Sequence, residues 1–580
     1  MIDFSFACEV AFNRLAKNEV VFKLDESSKK NLKLPVVLEV WEVLTEILIN
    51  DKCREIKLHI LLLPEFPYVF PKILLSPKDF ENFKYIPHVD NERVICTFDP
   101  DLTRPDPNQS GEVLIETIRK AKQILEDGIN KRNQDDFFIE FRSYWDQQYA
   151  DENNVNKFVL SLIEKPIGGP VTLLILEKPL KEYKYILHKG DEIAKRFTEF
   201  LEVNKFTYQE SEVLILQNLY IEKHPPFALK NYEIIEKLKN QNELLKKYIS
   251  YINSRVYPKL VLISQDDIPI LIGWFHKPLN INRKGFRPGK ISNFYVLSTF
   301  QKNDFVNRIL PEILTMNRLK KRSDGSEYQP GSELRLGVAG IGSLGSNLIF
   351  FLNTFDKPEL RLIDSDDLKI ENTGRHFLGF EYTGLKKTLA LKSFLQLQTP
   401  LQKITSRENS IINVCQKETD YINQLDFLFV CIGKTNIEKW IGQAIESGLI
   451  TIPVFFLWVE PYLAGGHCLY IYPGSKSFNS YFDEDDFFLN NVISKKDYEN
   501  NNPLLKLKEA SCQTSFVPYS SFSVVMFLSN LFPIISEIIT HKKSKSKSYS
   551  WIGNIQYVIE MGIELSSKIQ MNNEGQIIET

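Results

Sequence analysis

Apolar and polar positions divide the chain into three stretches with different periodicities. The first opens with a helix-like segment. It then carries strand-length apolar runs at 36–43 and 56–63, the proline-dense PEFPYVFPKILLSP and an amphipathic helical pattern over 112–126. Strands first and helices after predict an α+β unit. It ends at the polar run DQQYADENNVN, residues 146–156, which has the composition of a boundary. The second stretch alternates apolar strands at 171–176, 213–216, 260–263 and 268–274 with Lys-rich helical segments such as 232–251, a mixed α/β pattern without a chemical motif. After a second polar hinge, KKRSDGSEYQPGSE at 320–333, strand and helix patterns alternate as a parallel sheet with crossovers requires. The pattern therefore predicts a multidomain α/β chain, with an N-terminal domain over 1–150, a middle linking or positioning domain over 151–320 and a Rossmann-like C-terminal domain over 321–580.

Composition narrows the classes. A length of 580 residues exceeds what one hydrophobic core usually supports and suggests about three or four units. Apolar residues at 43% and charged residues at 25% exclude disorder as the main state. Lys+Arg 71 against Asp+Glu 74 leave a net charge of -3, so no global field favours nucleic acid or an anionic membrane, and neither partner is expected. The basic run HKKSKSKSYS at 541–550 reads as a solvated loop. The apolar run 521–540 is interrupted by Asn530, Pro533 and Glu537, and reads as one buried helix or a pair rather than a span. Asp3, Glu9 and Arg14 stand where a signal peptide needs an unbroken apolar core, so a cytoplasmic chain is expected. The 7 cysteines are scattered without a CxxC pair, which suggests neither a zinc knuckle nor a disulfide framework.

One motif has a chemical context. In LRLGVAGIGSLGSNLIFFL, Gly340, Gly342 and Gly345 form GxGxxG directly after a strand-like run and at the start of a helix-like one. Gly340 allows a tight turn, Gly342 lets the backbone approach a phosphate, and Gly345 lets helix and strand pack closely. Asp364, at the end of the next strand-like run, is placed to accept hydrogen bonds from ribose hydroxyls. Asn372, Arg375 and Lys387 follow, one amide and two cations. Such donors, where aimed at phosphates, lower the barrier for attack on an α-phosphate, a need that a dehydrogenase lacks.

The strings GIGSLGS, IDSDDLKIENTGRH and GLKK resemble the adenylating domain shared by ubiquitin-activating enzymes and the sulfur-carrier adenylyltransferases of the ThiF/MoeB type. The resemblance covers roughly 330–470. It implies ATP and Mg2+ as cofactors, with Asp364 holding the ribose, and Asn372, catalytic Arg375 and Lys387 around the phosphates. The chain has His376 where that family commonly has Gln, and Gly433 where it commonly has a magnesium-binding Asp. The metal ligands are therefore left open, with Asp366 and Asp367 as nearby acidic candidates.

Two thiols are candidates for acyl capture. Cys512, in EASCQTSFVPYSSF, has a polar flank, and a thiol is a natural acceptor for an adenylated carboxylate. Its surroundings and LWVEPYLAGGH at 457–467 resemble prokaryotic activating-enzyme domains. Cys96 follows PEFPYVFPKILLSP and YIPHVDNERVI in an order that resembles the ubiquitin-conjugating fold over most of 1–147. The usual His-Pro-Asn triplet is replaced by His88, Val89, Asp90 and Asn91, which leaves open whether Asn91 supplies an oxyanion donor. Cys8, Cys53, Cys415, Cys431 and Cys468 are expected in the core.

A conjugating-type domain first and an activating-type domain last resemble the fused conjugation enzymes of bacterial CBASS anti-phage operons. That resemblance implies a homodimer that adenylates the C-terminus of a partner protein, a cGAS-like nucleotidyltransferase. The acyl group would pass through Cys512 and Cys96 and be ligated to an amine, lysine by expectation. Conjugation of a bacterial ubiquitin-like protein, sulfur transfer, a NAD(P)-dependent oxidoreductase and a non-enzymatic scaffold stand as alternatives.

Overall fold

The computed structural model describes all residues except 1, 32–38, 148–154, 218, 223, 226, 254–257, 267, 269, 280–286, 288–290, 327–333, 356–357, 509–514 and 570–573. Cys512 thus lies outside the described residues. The chain forms two compact units, one of residues 1–190 and 207–315, the other of 191–206 and 316–580.

The first unit opens with a five-stranded antiparallel sheet, Val20–Lys23, Glu39–Ile49, Lys52–Leu62, Lys72–Leu75 and Val94–Ile95, paired in chain order. Its longest hairpin turns at Asn50 and Asp51, with φ of 48° and 60°, the left-handed pair that a two-residue turn between twisted strands requires. Trp41, Val43 and Ile47 alternate inward with Leu58, Ile60 and Leu62, and pack under helices Phe4–Leu15 and Ser110–Ile129. The second helix contributes Leu114, Ile118, Ala121 and Leu125, the stripe that its 3.6-residue period predicts.

The rest of this unit carries two further sheets, of four and five strands. The segment expected as one helix at 232–251 is two, Asn231–Leu238 and Asn242–Asn253. The short helices Asp136–Ile139 and Phe141–Asp146 place Phe137, Phe141, Tyr144 and Trp145 in one core with Leu216, Phe227 and Trp274. The aromatic run before the polar stretch therefore packs with the residues that follow it.

The second unit is built on an eight-stranded sheet. Ile404–Arg407, Glu359–Ile363, Arg335–Ala339, Phe427–Val430 and Val454–Val459 lie parallel in that order, so the first strand of the unit is central and the order reverses beside it. Gly465–Ile471, Lys547–Ile552 and Ile577–Glu579 extend the sheet antiparallel. Leu336, Val338, Leu360, Leu362 and Phe429 are buried, the continuous apolar strands of a sheet covered on both faces. The apolar run near 521 is a single helix, Ser521–His541, with Pro533 inside it. It is long and apolar enough to cross a membrane by length and composition. Val524, Phe527, Leu528, Leu531, Ile535 and Ile538 nevertheless pack into the core of this unit, against residues such as Trp551 and Leu348.

Candidate functional site

The parallel strands end at a cavity of about 240 Å³ lined by Gly340, Gly342, Asp364, Asp366, Lys387, Ser410 and Lys434, among others. It lies where an open α/β sheet presents its ligand site, outside the carboxyl ends of the strands at the reversal of strand order. The glycines explain the loop. Gly340 has φ 88°, and a Cβ there would come within 2.7 Å of the Cys431 carbonyl. A Cβ on Gly345 would meet the Gly340 carbonyl at 2.0 Å, so helix Ser343–Leu352 reaches the strand only without a side chain. At Gly342 a Cβ would meet nothing within 4 Å, which leaves the backbone open to a ligand.

Asp364 fixes the loop opposite. Its Oδ2 accepts from the Ile341 N–H at 2.6 Å and its Oδ1 from the Asp366 N–H at 2.8 Å. Burial pushes the Asp364 carboxyl up, against the pull of those donors and of Lys387. Lys387 Nζ lies 3.1 Å from Asp366 Oδ2, and Lys386 Nζ lies 2.8 Å from Asp367 Oδ1. Burial opposes ionisation of Asp366, but Lys387 and Lys434 together hold it below its ordinary value.

Two other expected phosphate contacts, Asn372 and Arg375, make local contacts of their own. Asn372 Oδ1 accepts the Lys369 N–H at 3.1 Å. Arg375 Nη1 donates to the Val517 carbonyl at 3.0 Å, and its guanidinium lies 4.7 Å from the centre of the Tyr519 ring. The Arg375 carbonyl accepts from Ser343 Oγ and Asn347 Nδ2, which clamps this turn to the glycine-loop helix. Neither side chain is among those that line the cavity. His376, at the position where the resemblance would place Gln, pins the loop. Its Nδ1 accepts from the Leu378 N–H and its Nε2–H donates to the Ile341 carbonyl, each at 3.0 Å. Burial lowers the His376 ring to about 4, so it is neutral at physiological pH.

Among the described residues the acidic groups here are not gathered into a metal site. Both Asp364 oxygens take backbone donors, and Asp366 and Asp367 are each paired with a lysine. Among the described residues no group of three or more His, Cys, Asp or Glu could hold a metal ion. Gly433, with φ 66°, brings no ligand. Its N–H instead donates to Glu438 Oε1 at 2.9 Å, and burial raises that carboxyl to about 7.

The motif LWVEPYLAGGH builds a buried polar knot. His467, fully buried, lies with Nε2 2.7 Å from Glu460 Oε1 and Nδ1 3.0 Å from Ser550 Oγ. Glu460 also accepts the Val492 and Ile493 N–H groups. The knot holds the turn at Tyr462 and Leu463, whose φ of 55° and 52° is costly for residues with side chains.

In the first unit, Cys96 opens onto a cleft of about 350 Å³ lined by His88, Asp99, Lys120, Asp127, Asn133, Asp136 and Glu140, among others. The Cys96 N–H donates to the His88 carbonyl at 2.9 Å. His88, with φ 63°, lies with Nε2 3.0 Å from Asp136 Oδ2 and Nδ1 3.7 Å from Glu140 Oε2. Its N–H donates to the Tyr144 hydroxyl, which donates to Glu140 Oε2 at 2.8 Å. Desolvation by the packing beneath it, with the nearby Asp90 and Glu140 carboxylates, pushes the Cys96 thiol above its ordinary value. Sequence reasoning found Cys96 and His88 but missed Asp136, Glu140 and Tyr144. Asn91 is on the exposed Asp90–Arg93 turn and is not among the cleft residues.

Of the remaining thiols, Cys8, Cys415, Cys431 and Cys468 are buried as expected, and burial pushes each well up. Cys53 corrects the expectation. It is exposed, because it stands opposite Leu48 near the free end of the long hairpin.

Residues 18–154 match prokaryotic E2 family B, and residues 322–493 match the ThiF family. The chain joins an E2-like domain to a ThiF-type domain. The y4qC protein of Sinorhizobium fredii (strain NBRC 101917 / NGR234) is 30% identical over 151 residues, which are 24% of this chain and 25% of that protein. Among solved structures, E. coli MccB overlaps 43% of this chain and 62% of its own at 14% identity with a TM-score of 0.30. Selenomethionine PaaA overlaps 43% and 63% at 16% identity with a TM-score of 0.28. The chain thus spans a quarter of that curated relative and under two thirds of these two structures.

Proposed function

We propose that this chain is an ATP-dependent conjugation enzyme that activates a partner protein's C-terminus and ligates it to an amine. One observation carries the reading: a single chain holds a glycine-loop cavity at the carboxyl ends of a parallel sheet and, in its E2-like domain, an accessible thiol in a carboxylate-rimmed cleft. The partner's carboxylate attacks the α-phosphate of ATP, forming an acyl adenylate and releasing pyrophosphate. The Cys512 thiolate then attacks the acyl carbon and AMP leaves. The Cys96 thiolate takes the acyl group by exchange, freeing Cys512, and a neutral amine finally displaces Cys96.

The Cys96 cleft supports an amine as the last acceptor. Asp99, Asp127, Asp136 and Glu140 attract a lysine ammonium, and a carboxylate or His88 at hydrogen-bond reach would take its proton. The resemblance to CBASS enzymes extends the proposal to a cGAS-like nucleotidyltransferase as the acyl donor, primed in anti-phage defence in the cytoplasm. A ubiquitin-like donor would use the same chemistry. A homodimer through the ThiF-type domains would cover Phe350, Phe522, Val525 and Met526, which are exposed.

ATP–pyrophosphate exchange and thioester formation test the division of labour. Cys512→Ala is expected to retain exchange and lose the thioester. Loss of exchange in that variant would contradict the assignment.

A further inference from the structure

The nucleotide cavity has an imbalance among its charged groups. Asp366 pairs with Lys387, so that lysine enters the cavity already compensated. Arg375 is engaged with the Val517 carbonyl and the Tyr519 ring. Lys434 also lines the cavity, exposed at the N-cap of the following helix; its charge acts on Asp366, but among the described residues its ammonium has no partner at ion-pair distance. The turn that carries it is held from below, where buried Glu438 accepts the Gly433 N–H. Helix Thr435–Glu446 starts at the next residue, so its positive end adds to the field at the same spot.

From this arrangement we infer that Lys434 is a phosphate-binding residue of the ThiF-type domain, and that it does there what a protein-held divalent cation would otherwise do. Any magnesium then arrives on the nucleotide as part of the substrate, because the cavity's carboxylates are committed to backbone N–H groups and lysines. A lysine suits this place: it is a compact point charge on a flexible stem and needs no fixed ligand geometry around the phosphate. Lys434 is not part of any apolar core, so its replacement leaves the fold intact.

The inference rests on the ATP reading proposed above, and the test separates the two. The full chain is titrated with a fluorescent N-methylanthraniloyl ATP in magnesium and, separately, in EDTA. Lys434→Met is expected to weaken binding about tenfold or more in both conditions, and Lys434→Arg to stay within about threefold of the parent. Affinity unchanged within twofold in Lys434→Met would overturn the inference while leaving the ATP reading standing. No binding by the parent chain in either condition would sink the ATP reading and the inference with it. In a second arm, Mn2+ is titrated into the nucleotide-free chain and followed by electron paramagnetic resonance. No site tighter than millimolar is expected. A micromolar site abolished by Asp366→Asn would show a protein-held metal and overturn the inference.

Discussion

The nucleotide cavity and the Cys96 cleft use carboxylates in opposite ways. In the ThiF-type domain the acids face lysines and backbone N–H groups, so they shape the loops, while Lys434 joins Lys387 among the cations lining the cavity. In the E2-like domain the acids face the cleft, where Asp136 and Glu140 flank His88 beside the thiol. The first arrangement suits a polyanion. The second suits an incoming cation, and it slows the thiol as a nucleophile by discouraging the thiolate. A cleft suited to an amine is therefore also one in which Cys96 is a poor spontaneous nucleophile at neutral pH.

The largest expected effect separates the two regions outright. Asp364→Ala should lower ATP–pyrophosphate exchange about 100-fold or more, since the carboxylate organises both the glycine loop and the turn after its own strand. Cys96→Ala should leave exchange at the parent rate, abolish the isopeptide product and trap the partner on Cys512, as read by gel mobility with and without reductant. Isopeptide formation by the Cys96 variant would remove the cleft from the pathway.

A smaller effect concerns pH. With the Cys96 thiol held above its ordinary value, transfer to Cys96 should rise about tenfold per pH unit through the neutral range, as the thiolate fraction does. Asp90→Asn and Glu140→Gln should each move that profile to lower pH, because each removes a negative charge that favours the neutral thiol. Single-turnover transfer measured from pH 6 to 9 decides this, and profiles that coincide with the parent would break the contrast between the two sites.

The smallest effect is on stability. His376 is lowered to about 4 in the folded domain and titrates near 6.5 when unfolded, so its contribution is present above about pH 6.5 and is lost as pH falls toward 4. Chemical denaturation of the parent and of His376→Gln should show stabilities that converge across that window. Glu438 acts in the opposite sense, its raised carboxyl favouring low pH, but it is common to both chains and cancels in the difference.

The two regions also differed in how readable they were. The glycine loop and Asp364 were legible because a strand, a tight turn and a helix start are contiguous in sequence, and a backbone motif keeps its meaning wherever the sheet places it. Side-chain aim was not legible: Asn372 and Arg375 have suitable chemistry, and their hydrogen bonds to the Lys369 N–H and the Val517 carbonyl are set by neighbours no motif announces. Lys434 carried no signal, being a single lysine after a strand. At the cleft, Cys96 and His88 could be paired from their shared turn. Asp136, Glu140 and Tyr144 arrive after the long helix Ser110–Ile129, and only packing of Phe137, Phe141 and Trp145 brings them there. Burial along strand Glu39–Ile49 alternates with period two, and Cys53, opposite exposed Leu48, lies on the face turned away from buried Ile47 and the helices.

The central claim, that this chain stores ATP-derived activation as a sulfur-bound acyl group and passes it between its two domains, is tested most directly by intact-mass spectrometry of the purified full chain. The chain is incubated with ATP and proteins encoded beside its gene, with and without dithiothreitol. AMP release is expected together with a partner-sized mass on the chain that dithiothreitol removes, and that Cys96→Ala and Cys512→Ala each alter. Neither AMP nor any reductant-labile adduct with every such partner would contradict it.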